Sequence, residues 1–413
     1  MSAQMKRRRT LLIGSAVMLT FLPLGVTQEH AGEALPKLVE ANERFGRRLL
    51  AEVHGPVPSR NMVVSPLSIT VMMAAMQTSS SGGGLREQGN ALFGWGLYPD
   101  LKVASRMLLA AFEKPIPVPI RPRMASRPPT YLPQGAWITN TLLYRSVQGS
   151  SPVDARFREQ AENVFHIKLV NTGSARPKPS AVAALRKGET PLPKVTSKAD
   201  ALIVSGTHLR TKWQGNSFSM SVPAPLTFHA PLGDKVVPML TSELSGYLYV
   251  ERENYEAVVL PADEAYMIAV LPKRTSSLTE VEKDLAEHPE FLDSTMKRQL
   301  GKVTMPPFHI RVESDLRSPL EGLGVKAIFE DLPGIFTIPN THIRSFTQRL
   351  DIEVNKDGIR ADAETVAGVV YGGVVVGREP FHLVLDRPFM FLVRDWNTNS
   401  LLFLGAVVDP TQN

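Results

Sequence analysis

A clear alternation of apolar and polar positions lies near the C-terminal end of the chain. Between residues 359 and 371 charged side chains fall at Arg360, Asp362 and Glu364. Such a period of two is typical of a strand with one buried face. Glycines 372, 373 and 377 interrupt the pattern, so the segment also fits a long connection. The small or apolar positions are Ile359, Ala361, Ala363, Thr365, Ala367, Val369 and Tyr371.

Apolar residues at helical spacing predict several helices in the first half of the chain. An amphipathic helix is indicated from Leu38 to Leu49, because its apolar residues recur every three or four positions. After a short strand at 61–64, we predict that Ser65 caps a second helix and that Pro66 begins it. This helix is apolar on most faces, so we expect it to be buried. A third, shorter helix is predicted from Leu85 to Phe93.

The chain is predicted to be rich in strands from residue 201 onward. A strand at 136–144 and a helix at 154–164 precede this part. Two proline-rich segments, 114–133 and 177–193, are predicted as surface loops. Together these elements predict an α+β fold. The later predicted strands are 202–204, 247–250, 257–260, 267–271, 302–312, 389–393 and 401–408.

The first 27 residues differ from the rest in composition. Basic residues 6–9 precede an apolar run from Leu11 to Val26, which is shorter than the roughly 20 residues of a membrane span. We interpret residues 1–27 as an export signal and expect an extracellular or periplasmic product without stable membrane contact; an uncleaved anchor is the alternative. The chain contains no cysteine, so its stability must come from packing without disulfides.

Charge and motifs exclude several classes of function. The formal net charge of +6 includes the four positive charges of residues 6–9, so the remainder does not demand a nucleic-acid partner. No GxSxG, HExxH, GxxxxGK[ST] or GxGxxG motif is present. His208 and His309 lie in strand-like runs, where packed or solvated side chains are more common than ligands. We therefore expect no catalytic residues, no metal and no cofactor.

An ordered set of motifs runs from residue 61 to the C-terminus. The motif segments are 61–69, Trp213 with Phe218, 260–261, 267–272, 303–308, 320–329, 352–358, 386–389, 403–405 and 409–410. In their order these motifs resemble the serpin family of serine protease inhibitors, and they indicate one domain over residues 35–413. Trp213, followed by Phe218, is similar to the family's support for the upper part of its main sheet, called the breach.

This resemblance implies inhibition through stored strain. A target protease cleaves an exposed reactive-centre loop, here about residues 356–380, and the freed hinge enters a large mixed sheet as an additional strand. The resemblance further implies eight or nine helices and a monomer that risks polymerisation through its loop. The alternating pattern supports this mechanism, because seven side chains that each gain about 1 kcal/mol or more on burial would together give on the order of 10 kcal/mol. We therefore expect residues 359–371 to wait outside the sheet.

The hinge departs from the pattern usual in inhibitory serpins. Lys356 stands where that pattern has glutamate, and bulky Ile359 follows Gly358 in place of threonine or serine. Charged residues occupy positions that are usually small and uncharged, although alternation would turn them to solvent. A serpin-fold binding or carrier protein with an inert loop is therefore the alternative. The hinge comprises Lys356, Asp357, Gly358, Ile359, Arg360, Ala361, Asp362, Ala363, Glu364 and Thr365.

The family's register from Gly358 places the cleaved bond at Tyr371–Gly372 or Gly372–Gly373. Tyr371 suits a chymotrypsin-like protease, whereas valines 369 and 370 suit an elastase-like protease. The expected partner is therefore a serine protease, with papain-like cysteine proteases as a second class. The opposing interpretation is that residues 366–376 pair as an ordinary strand with a glycine kink.

Overall fold

The computed structural model describes residues 28–55, 59–94, 98–112, 116–120, 130–146, 151–172, 200–214, 218, 223–288, 292, 295–360 and 379–412. These residues form seven α-helices, against the eight or nine expected for the whole chain. None of the helices in these ranges is long and apolar enough to cross a membrane. The helices are α1 (Gln28–His54), α2 (Pro66–Ser79), α3 (Gly83–Phe93), α4 (Tyr98–Phe112), α5 (Ala155–Asn163), α6 (Leu278–Glu287) and α7 (Arg317–Gly322).

The strands belong to two sheets, of seven and ten strands. In chain order they are β1 (Met62–Val64), β2 (Ile116–Ile120), β3 (Thr130–Tyr144), β4 (Ile167–Asn171), β5 (Asp200–Lys212), β6 (Ala224–Ala230), β7 (Gly233–Thr241), β8 (Ser245–Glu251), β9 (Tyr255–Pro261), β10 (Ala265–Pro272), β11 (Lys297–Met305), β12 (Phe308–Asp315), β13 (His342–Asn355), β14 (Gly358–Arg360), β15 (Phe381–Val384), β16 (Phe389–Asp395) and β17 (Leu401–Val407).

The seven-stranded sheet, called the main sheet below, is mixed. Its order is β12-β13-β14-β5-β3-β2, and β4 pairs with β3. The ten-stranded sheet runs β1-β17-β16-β10-β9-β8-β11-β7-β6, and β15 pairs with β11. Helix α2 contacts β3 and β5 of the main sheet and β17 of the other. Its residues from Pro66 to Gln77 are buried, so the predicted central helix and the α+β fold are confirmed.

The structure corrects the predictions for two segments that contain prolines. The segment 114–133 was expected to be a surface loop, but residues 116–120 pair as β2 with residues 130–134 of β3. The predicted strand 302–312 is in fact two strands, β11 and β12, separated by Pro306 and Pro307. Neither proline has a backbone N–H to donate to a ladder, so pairing stops there. The other predicted loop, 177–193, lies outside the described residues.

Ser65 does not cap α2 in the predicted way. It occupies the N-cap position with extended backbone angles, but its side chain makes no capping hydrogen bond. Its hydroxyl instead donates to the Thr207 hydroxyl on β5 at 2.5 Å. The Ser65 hydroxyl therefore contacts a distant residue of the main sheet in place of the backbone N–H groups of α2. This contact connects the beginning of α2 to the main sheet. Asp154, by contrast, caps α5 by accepting hydrogen bonds from two backbone N–H groups.

Candidate functional site

Strands β5 and β13 are paired directly with each other along only part of their length. Residues 342–348 of β13 pair in parallel with residues 200–205 of β5, and Gln348 opposite Ser205 is the last such pair. Further up, β14 lies between the two strands and pairs antiparallel with both. Within the described chain, residues 206–209 and 349–352 form no ladder pair with each other. We call this unpaired stretch between β5 and β13 the slot.

A tight turn at Lys356 and Asp357 connects β13 to β14. The Asp357 N–H donates to Asn355 Oδ1 at 2.9 Å, which stabilises the turn. Gly358 follows with a φ of +152°, and a Cβ added there would lie 2.1 Å from the carbonyl oxygen of Thr211. Only glycine fits so close to the neighbouring backbone. The turn therefore aims the chain back into the main sheet.

Ile359 is fully buried in the intact chain. It lies opposite Val354 on β13 and Thr211 on β5. The expectation that residues 359–371 all lie outside the sheet is therefore wrong for Ile359 and Arg360. Antiparallel hydrogen bonding to the strands on both sides stabilises the two residues within the main sheet. Burial of the apolar Ile359 side chain adds to this stabilisation. Ile359 and Arg360 are thus already part of the main sheet.

The remaining predicted loop residues lie outside the described part of the chain. They are the hinge positions Ala361, Asp362, Ala363, Glu364 and Thr365 and the reactive-bond positions Tyr371, Gly372 and Gly373. The exact bond and the exposure of this segment therefore stay predictions.

Trp213 follows directly after β5 and lies beside the turn that joins β13 to β14. Its Nε1–H donates to the Asn355 carbonyl oxygen at 2.8 Å. Its ring meets Phe218 edge to face, with the centroids 5.5 Å apart. It also forms an isolated β-bridge with Ala262, the residue that follows β9. Trp213 therefore connects the end of β13 to the segment between β9 and β10.

A buried polar cluster, called the latch, lies below the slot. Gln348 accepts a hydrogen bond from the Ser65 N–H at 3.0 Å and donates to the Ser65 carbonyl oxygen at 2.7 Å. It also donates to the Ser68 hydroxyl at 3.2 Å, which lies 3.3 Å from the Ser205 hydroxyl. With the Ser65–Thr207 bond, these contacts connect β13 and β5 through the first turn of α2. They hold the two strands together at the level where pairing ends.

Sequence reasoning did not identify the latch. A signal was available, because Gln348 lies at an inward position between Phe346 and Leu350, both buried. A buried amide requires hydrogen-bond partners. Its partners Ser65 and Ser68 are about 280 residues away in the sequence, so spacing alone could not identify them.

Charged groups crowd the end of β14 that lies away from the slot, where Lys212 is opposite Gly358. Burial lowers the pKa of the Lys212 ammonium, against the attraction of Asp263, Glu264 and Asp357. Burial also raises the pKa of Glu264, although Thr211 hydrogen bonding opposes the change. One carboxylate oxygen of Glu264 is buried without a hydrogen-bond partner. Ionising Glu264 is therefore unfavourable in the folded protein.

Replacing Glu264 by glutamine should stabilise the intact protein at neutral pH. A carboxyl whose folded pKa is raised stabilises the fold below its unfolded pKa, and this stabilisation is lost as the pH rises through the folded pKa. Glutamine keeps the shape and never ionises. We expect Tm to rise by about 1–2 °C at pH 7.5 and the difference to vanish near pH 4. Calorimetric melts of both proteins across this range test this, and a difference that grows on acidification would contradict it.

Aromatic residues hold the chain where it returns after the loop. Strand β15 pairs in parallel with residues 301–304 of β11. The Phe381 ring stacks on Tyr249 with centroids 4.1 Å apart. A Cβ on Gly301 would lie 2.3 Å from the Phe381 ring, so glycine leaves the space that this ring occupies. The loop therefore has two fixed ends, one at β14 and one at β15.

Comparisons with known proteins identify the family. The family model described as Serpin (serine protease inhibitor) matches residues 40–410. This chain belongs to the serpin family. Iripin-2 of Ixodes ricinus is 25% identical over 95% of this chain and 97% of its own length. The serpin-like protein TK1782 of Thermococcus kodakarensis is 28% identical, but that match spans 51% of this chain and 50% of the relative.

Solved structures show the same fold. Mouse protein-Z dependent protease inhibitor superposes with a TM-score of 0.73 at 17% identity, covering 93% of this chain and 99% of its own. Human thyroxine-binding globulin complexed with thyroxine also gives a TM-score of 0.73, at 18% identity, covering 92% of this chain and all of its own. At this identity the likeness concerns the fold alone. The serpin fold expected from the motifs is thus confirmed.

Proposed function

We propose that this serpin inhibits chymotrypsin- or elastase-like serine proteases by cleavage and insertion of its own loop. One observation carries the proposal: β14 already lies between β5 and β13, directly above the slot. A strand end held in register can extend by adding one pair at a time. The first pairs, which would be the costly ones to nucleate, are therefore formed before a protease arrives.

The expected gain in free energy remains large after the correction at Ile359. One of the seven alternating side chains is already buried, so six remain to gain burial after cleavage. At about 1 kcal/mol or more for each, with added backbone hydrogen bonds, the gain is still on the order of 6–10 kcal/mol. This is comparable to the whole stability of a typical domain, about 5–15 kcal/mol. Insertion on that scale can displace a bound protease.

We further propose that the protease cleaves at Tyr371–Gly372 or Gly372–Gly373 while the protein is a monomer. In this proposal residues 1–27 direct export, and the target is met outside the cell or in the periplasm. An apolar, unpaired strand is prone to join the sheet of a second molecule, so loop-mediated polymerisation accompanies the same mechanism on heating.

A carrier function is the second candidate. The observation that favours it is the charged hinge, together with a structural neighbour that was solved with thyroxine bound. In that case the loop would be cleaved without trapping the protease. The two candidates therefore differ in the fate of the protease after it cleaves the loop.

A denaturing gel and a thermal melt separate these candidates. We expect the protein mixed with chymotrypsin or elastase to give a complex that survives boiling in detergent. We also expect Tm to rise by about 20 °C after cleavage in the loop, because the inserted strand adds stability. A catalytically inactive protease mutant is the control and should give no such complex. Clean cleavage with no complex and no gain in Tm would reject the inhibitor and leave the carrier.

A further inference from the structure

A cleft lies between α1, α3 and the residues that follow α7. It has a volume of about 350 Å³, which is within the range of pockets that hold small molecules. Leu92, which is buried, and the half-buried Leu323 form its apolar part. The cleft therefore combines an apolar surface with groups of both charges. Its other lining residues are Arg48, Glu87, Gln88, Ala91 and Gly324.

Hydrogen bonds between the three segments hold the walls of this cleft in place. The Arg44 guanidinium of α1 donates to the Phe93 carbonyl oxygen at the end of α3, at 3.0 Å. Gln88 of α3 accepts, through Oε1, the backbone N–H groups of Lys326 and Ala327, each at 2.7 Å. These bonds orient the Gln88 amide so that its Nε2 group is available to donate. The cleft is thus formed before a ligand arrives, which lowers the cost of binding.

Arg48 and Glu87 line the cleft from different helices and carry opposite charges. Within the residues that the structure describes, neither side chain forms a hydrogen bond or an ion pair. Their charged ends are therefore too far apart to pair directly. A sphere of the volume of this cleft is only about 9 Å across, so one small molecule can reach both. A guanidinium binds a carboxylate, and a carboxylate binds an ammonium.

We propose that this cleft binds a free apolar α-amino acid of the size of leucine or phenylalanine. Arg48 and the Gln88 amide bind its α-carboxylate, Glu87 binds its α-ammonium, and its side chain packs on Leu92 and Leu323. A fatty acid brings no cation to Glu87, and an alkyl amine brings no anion to Arg48. Only a zwitterion with an apolar side chain satisfies all three features. The site is separate from the reactive-centre loop, so this proposal does not rest on the proposed inhibition.

The first test adds L-leucine to the intact, full-length protein and follows binding by ligand-observed NMR. The cleft is open to solvent and the ligand is small, so we expect a Kd of about 1 mM. Two analogues are matched to leucine, since 4-methylpentanoate lacks the ammonium and 3-methylbutylamine lacks the carboxylate. We expect each analogue to bind about tenfold more weakly, because each leaves one charge of the cleft without a partner.

Two neutral variants assign the roles of the charged residues. Arg48→Gln is expected to weaken leucine about tenfold and not to weaken 3-methylbutylamine, which has no carboxylate. Glu87→Gln is expected to weaken leucine likewise and not to weaken 4-methylpentanoate, which has no ammonium. Arg156→Gln and Glu159→Gln are the matched controls, because both residues are exposed on α5 and neither lines the cleft. Both controls should bind leucine as the wild-type protein does.

Filling the cleft tests its position without changing its charges. Ala91 is exposed and lines the cleft, so the ring in Ala91→Phe occupies the space of the ligand side chain. We expect this variant to lose leucine binding and to keep the far-ultraviolet circular dichroism of the wild-type protein.

Three results would overturn the proposal. They are no binding of leucine at about 20 mM, analogues that bind as well as leucine, and leucine binding that is unchanged in Arg48→Gln and Glu87→Gln. Each would mean that the two charges are only solvated. None of these results involves the loop, so the proposed inhibition would be unaffected.

Discussion

Under the proposed mechanism, Ile359→Arg is expected to convert the protein from an inhibitor into a substrate. Ile359 is fully buried between Val354 and Thr211. Arginine there would lose about 2 kcal/mol of apolar burial and would add several kcal/mol for a buried charge without a partner. A penalty of about 5 kcal/mol against the first inserted pair slows insertion by more than a thousandfold. Hydrolysis of the ester between protease and loop does not depend on this residue. Hydrolysis is therefore faster than insertion in the variant, and the protease is released active.

Two quantities are measured. One is the number of inhibitor molecules consumed for each protease molecule inactivated, and the other is the amount of complex that survives on a denaturing gel. We expect the complex to disappear in Ile359→Arg while loop cleavage continues at the same rate. Arg360→Ala is the matched control, because Arg360 lies one residue on and on the opposite face of the sheet. It should retain the complex. A complex that persists in Ile359→Arg would show that β14 is not the starting point of insertion.

The buried face of the hinge could be predicted from the sequence, but the extent of its insertion could not. The period of two assigned Ile359 to the apolar face and Arg360 to the other, and the structure agrees for both. Whether Ile359 is inside the sheet before cleavage depends on the separation of β5 and β13. That separation is set by contacts between residues 140 or more positions apart, which a local pattern does not contain.

Other elements were missed for local reasons. The hairpin of β6 and β7 was not predicted, because Pro225 and Pro238 interrupt its pattern and Leu226 and Val236 are exposed apolar residues. Strand signals weaken where the solvent face carries apolar side chains. By contrast, β17 and the first five residues of β16 are continuous apolar runs with both faces buried. Those strands were predicted close to their observed limits.

Breaking the latch is expected to have the second large effect, which is a loss of stability of the intact protein. Gln348→Met keeps the length of the side chain and removes all three hydrogen bonds to Ser65 and Ser68. The Ser65 N–H then loses its partner in a buried site, at a cost of about 1–3 kcal/mol. The Ser65 carbonyl oxygen loses one hydrogen bond and keeps the one from the Ser68 hydroxyl. We expect the intact protein to lose about 2–4 kcal/mol of unfolding free energy.

The latch variant should also polymerise faster on mild heating. Gln348 is the last residue of β13 that pairs with β5, so losing its bonds to α2 lets the two strands part below the slot. A longer slot accepts the loop of a second molecule more readily. Native gels after incubation below Tm measure this, with Thr347→Val on the outer face of the same strand as control. Because Thr347 makes no latch contact, equal polymerisation of both variants would mean that the latch does not hold the sheet closed.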